Sequence, residues 1–220
     1  DEKMRKFKME HCQDYEILNK MFSQAYENVP NGSYVCPKCG WTMTFYGAQA
    51  QCCNKSCLKN IPKKDDLKPL KFQDGNWRLR HGVMRYMCLP GQLELKIQKI
   101  AEKCGCGAEL WPDRDKYDVK ITFPDGQVWA IDAKTHRNPY MLKKSIEKDY
   151  VFTHTKAQKV FYVVPDDCLT DYPDYCKICN DALASSFPDS IAKCVSMRNF
   201  SKELKGEVED VKLRNYQKKS

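Results

Sequence analysis

Residues 117–134 constrain this chain more than any other stretch. Apolar and polar residues alternate on both sides of Pro124-Asp125-Gly126, the period-2 pattern of a half-buried strand. Pro and Asp suit a type I turn, and Gly suits the left-handed position of the bulge that follows. The spacing therefore predicts a three-residue hairpin loop that closes Phe123 on Gln127. Counting back from it sets Thr122 opposite Val128, Lys120 opposite Ala130 and Asp118 opposite Asp132.

Side chains alternate between faces along a strand, so this register sorts the hairpin into two surfaces. Val119, Ile121, Phe123, Trp129, Ile131 and Ala133 share one face and must pack on a core. Asp118, Lys120, Asp132 and Lys134 share the other. Like charges directly opposite one another destabilise a sheet, and a cation between the two carboxylates reverses that interaction. Two aspartate oxygens suit Mg²⁺ or Mn²⁺. Lys134 is then placed to position or deprotonate a water, or to stabilise a pentacovalent phosphate. The competing reading is a solvated hairpin on which Lys120 and Lys134 neutralise the two acids. A slip of one residue would move Asp132 to the other face, so the inference depends on the turn.

The surrounding pattern predicts an α/β layer fold. Pro90-Gly91 opens a helix to about Lys103, with Leu93, Ile97, Ile100 and Ala101 as its apolar stripe. Residues 108–111 are a short strand candidate. Asn138-Pro139 is an N-cap followed by proline at N1, and it starts a helix that carries Leu142 and Ile146. Val160 to Val164 reads as a buried strand ended by Pro165, and 181–187 as a helix. Upstream, residues 1–33 are expected to be a helical segment N-capped by Asp14. Residues 34–60 form a cysteine-rich module, 61–76 a linker and 77–88 an extended arginine-rich segment. The main domain is expected to span 77–200, and residues 201–220 a basic tail.

Thirteen cysteines, an odd number with local C-x-x-C pairs, suit reduced thiols and metal better than a disulfide framework. Cys36-Pro37-Lys38-Cys39-Gly40 and Cys53-Asn54-Lys55-Ser56-Cys57 supply four thiolates from two turns, enough to close a structural zinc site. Cys52 is an alternative to Cys53. Cys104, Cys106, Cys176 and Cys179 would make a second site only if the fold joined them, and plain buried or surface thiols are expected. His11, His81, His136 and His154 are read as solvated or packing side chains. With no apolar run of membrane-spanning length and no secretory signal, a cytoplasmic setting is expected. The start at Asp1 rather than Met allows for a longer parent chain. A net charge of +8 permits a nucleic-acid partner.

Asp118, the hairpin and Asp132-Ala133-Lys134 together resemble the D…(D/E)-x-K signature of the PD-(D/E)xK nucleases. The preceding helix with Glu94, and the helix and strand that follow, match that family's layout over residues 90–165. One departure is Asp132, where Glu is more usual. The resemblance implies a restriction-endonuclease-like fold with a mixed central sheet flanked by helices. It also implies phosphodiester hydrolysis with one or two divalent ions, with Asp118, Asp132 and Lys134 at the active site, Glu94 as a further ligand and Gln158 as a polar neighbour. The four-cysteine ribbon, the arginine-rich segment ending Leu89-Pro90-Gly91 and the stretch 110–115 extend the likeness. They resemble the nucleases found beside Piwi-related proteins in prokaryotic defence operons. The expectation is thus a Mg²⁺-dependent endonuclease that cuts DNA in a restriction-type defence system, with protein partners and a homodimer by analogy. The alternatives are a nucleic-acid-binding module that does not cut and a scaffold of a larger complex.

Overall fold

The structure, a computed structural model, describes residues 15–54, 57, 63–67, 69–70, 76–148, 150–152 and 155–217. The expected N-cap Asp14, together with His11 and His154, lies outside them. The chain forms two compact units, Asp1–Leu89 and Pro90–Ser220.

In the first unit, helix α1 (Tyr15–Ala25) leads into strand β1 (Tyr26–Asn28). A three-stranded antiparallel sheet follows in the order β2-β3-β4 (Tyr34–Val35, Thr42–Tyr46, Gln49–Gln51). Strand β5 (Trp77–Leu79) pairs antiparallel with β1. Arg78 joins the two parts of this unit. It bonds the Glu27 carboxylate at 2.7 Å, donates to the Thr42 hydroxyl at 3.0 Å and lies over the Trp41 ring at 5.0 Å. The extended segment expected over 77–88 stops at Leu79. A helical turn (His81–Val83) and a π-helical turn (Met84–Cys88) take its place. Leu79, Val83, Tyr86 and Met87 are spaced i, i+4, i+7, i+8, which is a helical period rather than an alternating one.

The second unit opens with α2 (Leu89–Lys103) and is built on a five-stranded sheet of order β10-β9-β8-β7-β6. Strands β6 (Gly107–Leu110), β7 (Val119–Thr122) and β8 (Val128–Ala133) are antiparallel neighbours. Helix α3 (Pro139–Lys148) carries the chain to β9 (Lys159–Val164), which runs parallel to β8. A short helix α4 (Cys168–Asp171) and then α5 (Tyr175–Ser186) lead to β10 (Ala192–Ser196), parallel to β9. The sheet is therefore mixed and β8 is its pivot, as the predicted α/β class required.

The hairpin forms in the predicted register, with Thr122 opposite Val128, Lys120 opposite Ala130 and Val119 opposite Ile131. Phe123 N–H donates to Gln127 at 2.8 Å, and Gly126 takes the left-handed φ of +88° that the turn needs. The predicted apolar face is buried with Leu93, Ile97 and Ala101 of α2. The other face is covered in part. Ala130 and Tyr162 lie beneath Leu142 and Ile146 of α3 and Tyr175, Cys179 and Leu183 of α5. Asn138 caps α3 as expected, its side-chain oxygen accepting from Tyr140 N–H at 2.9 Å.

The segment expected to be a basic tail is helical through Gln217, in α6 (Met197–Gln217). Met197, Phe200, Leu204, Val208 and Val211 follow a helical stripe and are buried against Trp129 and Phe161. The residues between them are mostly Lys, Glu and Asp, which hides the stripe in the segment's composition. Leu204 is fully buried, so Leu204→Ala is expected to cost about 2–5 kcal/mol. Urea unfolding of the variant against wild type measures that loss, and an effect below about 0.5 kcal/mol would mean a solvated tail.

Candidate active site and the four-cysteine cluster

Asp118 immediately precedes β7 and Lys134 immediately follows β8. Antiparallel pairing therefore brings the start of one strand to the end of the other. Two further bonds extend the ladder there: Lys134 N–H donates to Val163 at 2.8 Å, and Trp111 N–H donates to the Asp118 carbonyl at 2.9 Å. The Asp118 carboxylate accepts a short hydrogen bond from Ala133 N–H. Its rotamer is thus tied to the strand that carries Asp132.

Asp132 is only 3% exposed, deep in a strand buried on both faces. The Lys134 ammonium lies 2.7 Å from its Oδ2. That contact is a charge contact without hydrogen-bond geometry, and Oδ2 accepts no hydrogen bond from the described residues. The carboxyls of Asp118 and Asp132 lie within hydrogen-bonding reach of each other. Burial, then the charge of Asp132 and the hydrogen bond to it, push Asp118 up to about 7, against the opposing pull of Ala133 N–H and Lys134. Lys120 does not neutralise the pair; it reaches Glu109 at 3.3 Å. Two carboxylates with one lysine between them leave the pocket short of positive charge, and the donors present are hard oxygens. Both features fit a divalent ion such as Mg²⁺ or Mn²⁺.

A family model described as "REase associating with pPIWI_RE" matches residues 91–211, more than half of the chain. The chain belongs to this family. The match covers the mixed sheet, both helical layers and every residue of the acid site. Neither a curated protein nor a solved structure matches the chain. Membership of this REase family makes the second unit restriction-endonuclease-like and gives it a Piwi-related association. No helix among the described residues is long and apolar enough to cross a membrane.

Two other residues expected in the REase site fall differently. Glu94 is buried on α2, where its Oε2 accepts from the Trp111 indole N–H at 2.8 Å. It does not close with the two aspartates into a cluster within 4.8 Å; among the described residues only cysteines do so. Gln158 is exposed and brackets Val128, accepting from its N–H at 2.7 Å and donating its own backbone N–H to its carbonyl at 2.9 Å. Because β9 runs parallel to β8, the residue before β9 lies at the opposite end of β8 from Asp132. The structure does not bring Gln158 to the acids. Trp111, to which the sequence reading gave no role, touches both Asp118 and Glu94.

The metal-capable cysteines precede the matched region. Cys36, Cys39, Cys52 and Cys57 place their sulfurs within 4.8 Å of one another, with Cys39 and Cys52 3.7 Å apart. Zinc–sulfur bonds of about 2.3 Å in a tetrahedron put sulfurs roughly 3.8 Å apart. Gly40, at φ +72°, donates its N–H to the Cys36 carbonyl at 2.9 Å and closes the knuckle. Burial, then the hydrogen bonds and charges of Cys39 and Cys36, push the Cys57 thiol up to about 12. A bound cation removes that penalty on the thiolates. The expected ligand Cys53 gives way to Cys52. Adjacent side chains leaving β4 point opposite ways, and Cys53 turns its thiol toward the His81 carbonyl at 3.7 Å. Cys104 and Cys106 do not join Cys176 and Cys179: Cys106 packs in one apolar cluster and Cys179 in the other, on opposite faces of the sheet.

The two sites give separate expectations. Cys52→Ser should lose bound metal while Cys53→Ser keeps it, as read by metal analysis after gel filtration; the reverse would restore Cys53 as the ligand. For the acids, a carboxyl that titrates near 7 in the fold and near 3.8 in the unfolded chain binds its proton more tightly when folded. Folding stability is then lost as pH rises from about 4 to about 7, and levels off above. Asp118→Asn cannot ionise yet still accepts from Ala133 N–H. In EDTA it should therefore gain roughly 1–3 kcal/mol over wild type between pH 5 and pH 8. A pH-independent difference in chemical denaturation would show that Asp118 is not strained by its surroundings.

Proposed function

We propose that this chain is a divalent-metal-dependent endonuclease of the PD-(D/E)xK type that acts on DNA in a defence system together with a pPIWI_RE partner. The observation that carries the reading is the buried Asp132 with the Lys134 ammonium 2.7 Å from its carboxylate, and the Asp118 carboxylate held by the neighbouring Ala133 N–H. Membership of a restriction-endonuclease-like family supports the reaction class and the Piwi-related partner. The net charge of +8 suits a polyanionic substrate.

Asp118 and Asp132 would hold Mg²⁺ or Mn²⁺, whose Lewis acidity polarises the scissile phosphate and offsets its charge. The carboxylate of Asp132 is fixed by the central strand, and that of Asp118 by Ala133 N–H, so neither needs to reorganise during reaction. Lys134, in charge contact with Asp132, would supply an ammonium to the attacking water or to the charge developing on the phosphate. Glu94 accepts from the indole of Trp111, whose backbone N–H bonds the Asp118 carbonyl, and would be a further ligand in this reading. The four cysteines hold a structural zinc ion, which has no open coordination position and takes no part in the chemistry.

Cleavage of supercoiled plasmid, single-stranded DNA and RNA with Mg²⁺, Mn²⁺ or EDTA tests this directly. Wild type should cut only with metal, and Lys134→Ala and Asp132→Asn should each slow cutting by about a hundredfold or more. Equal inertness of wild type and variants with nucleic acid still bound would favour the non-cutting binding module. Cutting in EDTA would reject the metal reading.

A further inference from the structure

The turn after β6 is held in an unfavourable backbone conformation. Trp111, Asp113 and Arg114 have φ of +52°, +52° and +64°, the left-handed region that side chains other than glycine rarely occupy. Such a turn persists where its surroundings over-determine it. Here Trp111 N–H is bonded to the Asp118 carbonyl at 2.9 Å, the indole N–H to Glu94 at 2.8 Å, and Lys116 N–H to Pro112 at 3.1 Å. These anchors fix the indole by its polar edge to a buried acid. The residue nevertheless remains 54% exposed and belongs to neither apolar cluster of its unit. A tryptophan that only filled space would be buried in one of them. This one is anchored and open, on the residue whose backbone N–H bonds the Asp118 carbonyl.

We propose that the Trp111 indole is a stacking platform for an unpaired nucleobase of the substrate strand, so that the site engages single-stranded nucleic acid or a locally opened duplex. The proposal rests on the nuclease reading above. Every nucleobase offers a flat π surface to an aromatic ring, and a nucleic acid centred on the acid pair brings bases to its rim. Inside an intact duplex both faces of each base are already stacked, so a fixed ring finds no free face. The anchored N–H edge also means that the ring is ordered before substrate arrives, which lowers the entropic cost of stacking.

Binding in Ca²⁺, without cleavage, tests this with single-stranded DNA, single-stranded RNA and a blunt duplex. The emission of wild type minus that of Trp111→Phe isolates Trp111 from Trp41, Trp77 and Trp129. Single strands should quench that difference and the duplex should not. The DNA and RNA arms show which sugar is accepted. Trp111→Leu should bind single strands about tenfold more weakly, and Trp111→Phe nearly as well as wild type. A fully abasic strand should bind wild type and Trp111→Leu alike, which a merely structural role would not produce. Single-strand binding with unchanged Trp111 emission and undiminished affinity in Trp111→Leu would overturn the stacking role and leave the nuclease reading standing. Equal quenching by the duplex would overturn the unpaired-base requirement. Failure of wild type to bind any nucleic acid would overturn both readings.

Discussion

The second unit depends on one unfavourable arrangement: two carboxylates set against each other at the edge of a buried core. Asp132 is nearly inaccessible, and its nearest positive group is a single lysine. An isolated buried charge is costly unless paired, and here a second acid adds repulsion. The strain appears in Asp118, which holds its proton to about 7. A fold that keeps such a pair has a stability deficit at this point that a cation removes. The rigid surroundings, with backbone amides from β8 and from the Trp111 turn, prevent the pair from relaxing by moving apart.

The mixed sheet explains why these groups converge. Strand β8 is antiparallel to β7 and parallel to β9. Its carboxyl end therefore meets the amino end of β7, where Asp118 lies, and the carboxyl end of β9. A purely antiparallel meander would place the start of β9 there instead. Helix α3 then leaves directly from the Lys134 end and covers the second face, so Asp132 is buried while Lys134 keeps a path to solvent. Trp129, at the other end of β8, anchors the strand among Phe123, Phe161 and Phe200. That aromatic cluster fixes the strand on which the acid geometry is built.

These relations also explain what the sequence could reveal. The hairpin register was legible because Pro124-Asp125-Gly126 determines the turn, and one turn fixes every cross-strand pair behind it. Asp118, Asp132 and Lys134 followed from it. The position of Gln158 did not, because its place before a strand does not say which end of the neighbouring strand it faces; parallel pairing decides that. Helix α6 was obscured by its charged residues, although five buried positions repeat at helical spacing beneath them. The choice between Cys52 and Cys53 turns on the exit direction of β4, which no spacing rule encodes when both candidates are cysteines. The Trp111 turn carries no glycine to announce its left-handed backbone. Only the anchors on Asp118 and Glu94 account for it, and both come from other elements.

The first unit answers the same physical problem with softer ligands. Among the described residues its buried cluster is Tyr34, Met43 and three cysteines, with Cys39, Phe45 and Leu67 packed against it. Three of the five are cysteines, whose sulfurs repel one another when ionised, and burial pushes the thiols of Cys52 and Cys57 up. A metal ion held there would turn that repulsion into attraction. The acid pair and the cysteine cluster are thus both arrangements that the protein alone disfavours and a cation would stabilise. Their difference lies in access. Four cysteine sulfurs suffice to close a tetrahedral shell and would leave no position for substrate. Two aspartates would supply only part of one, beside the Lys134 ammonium.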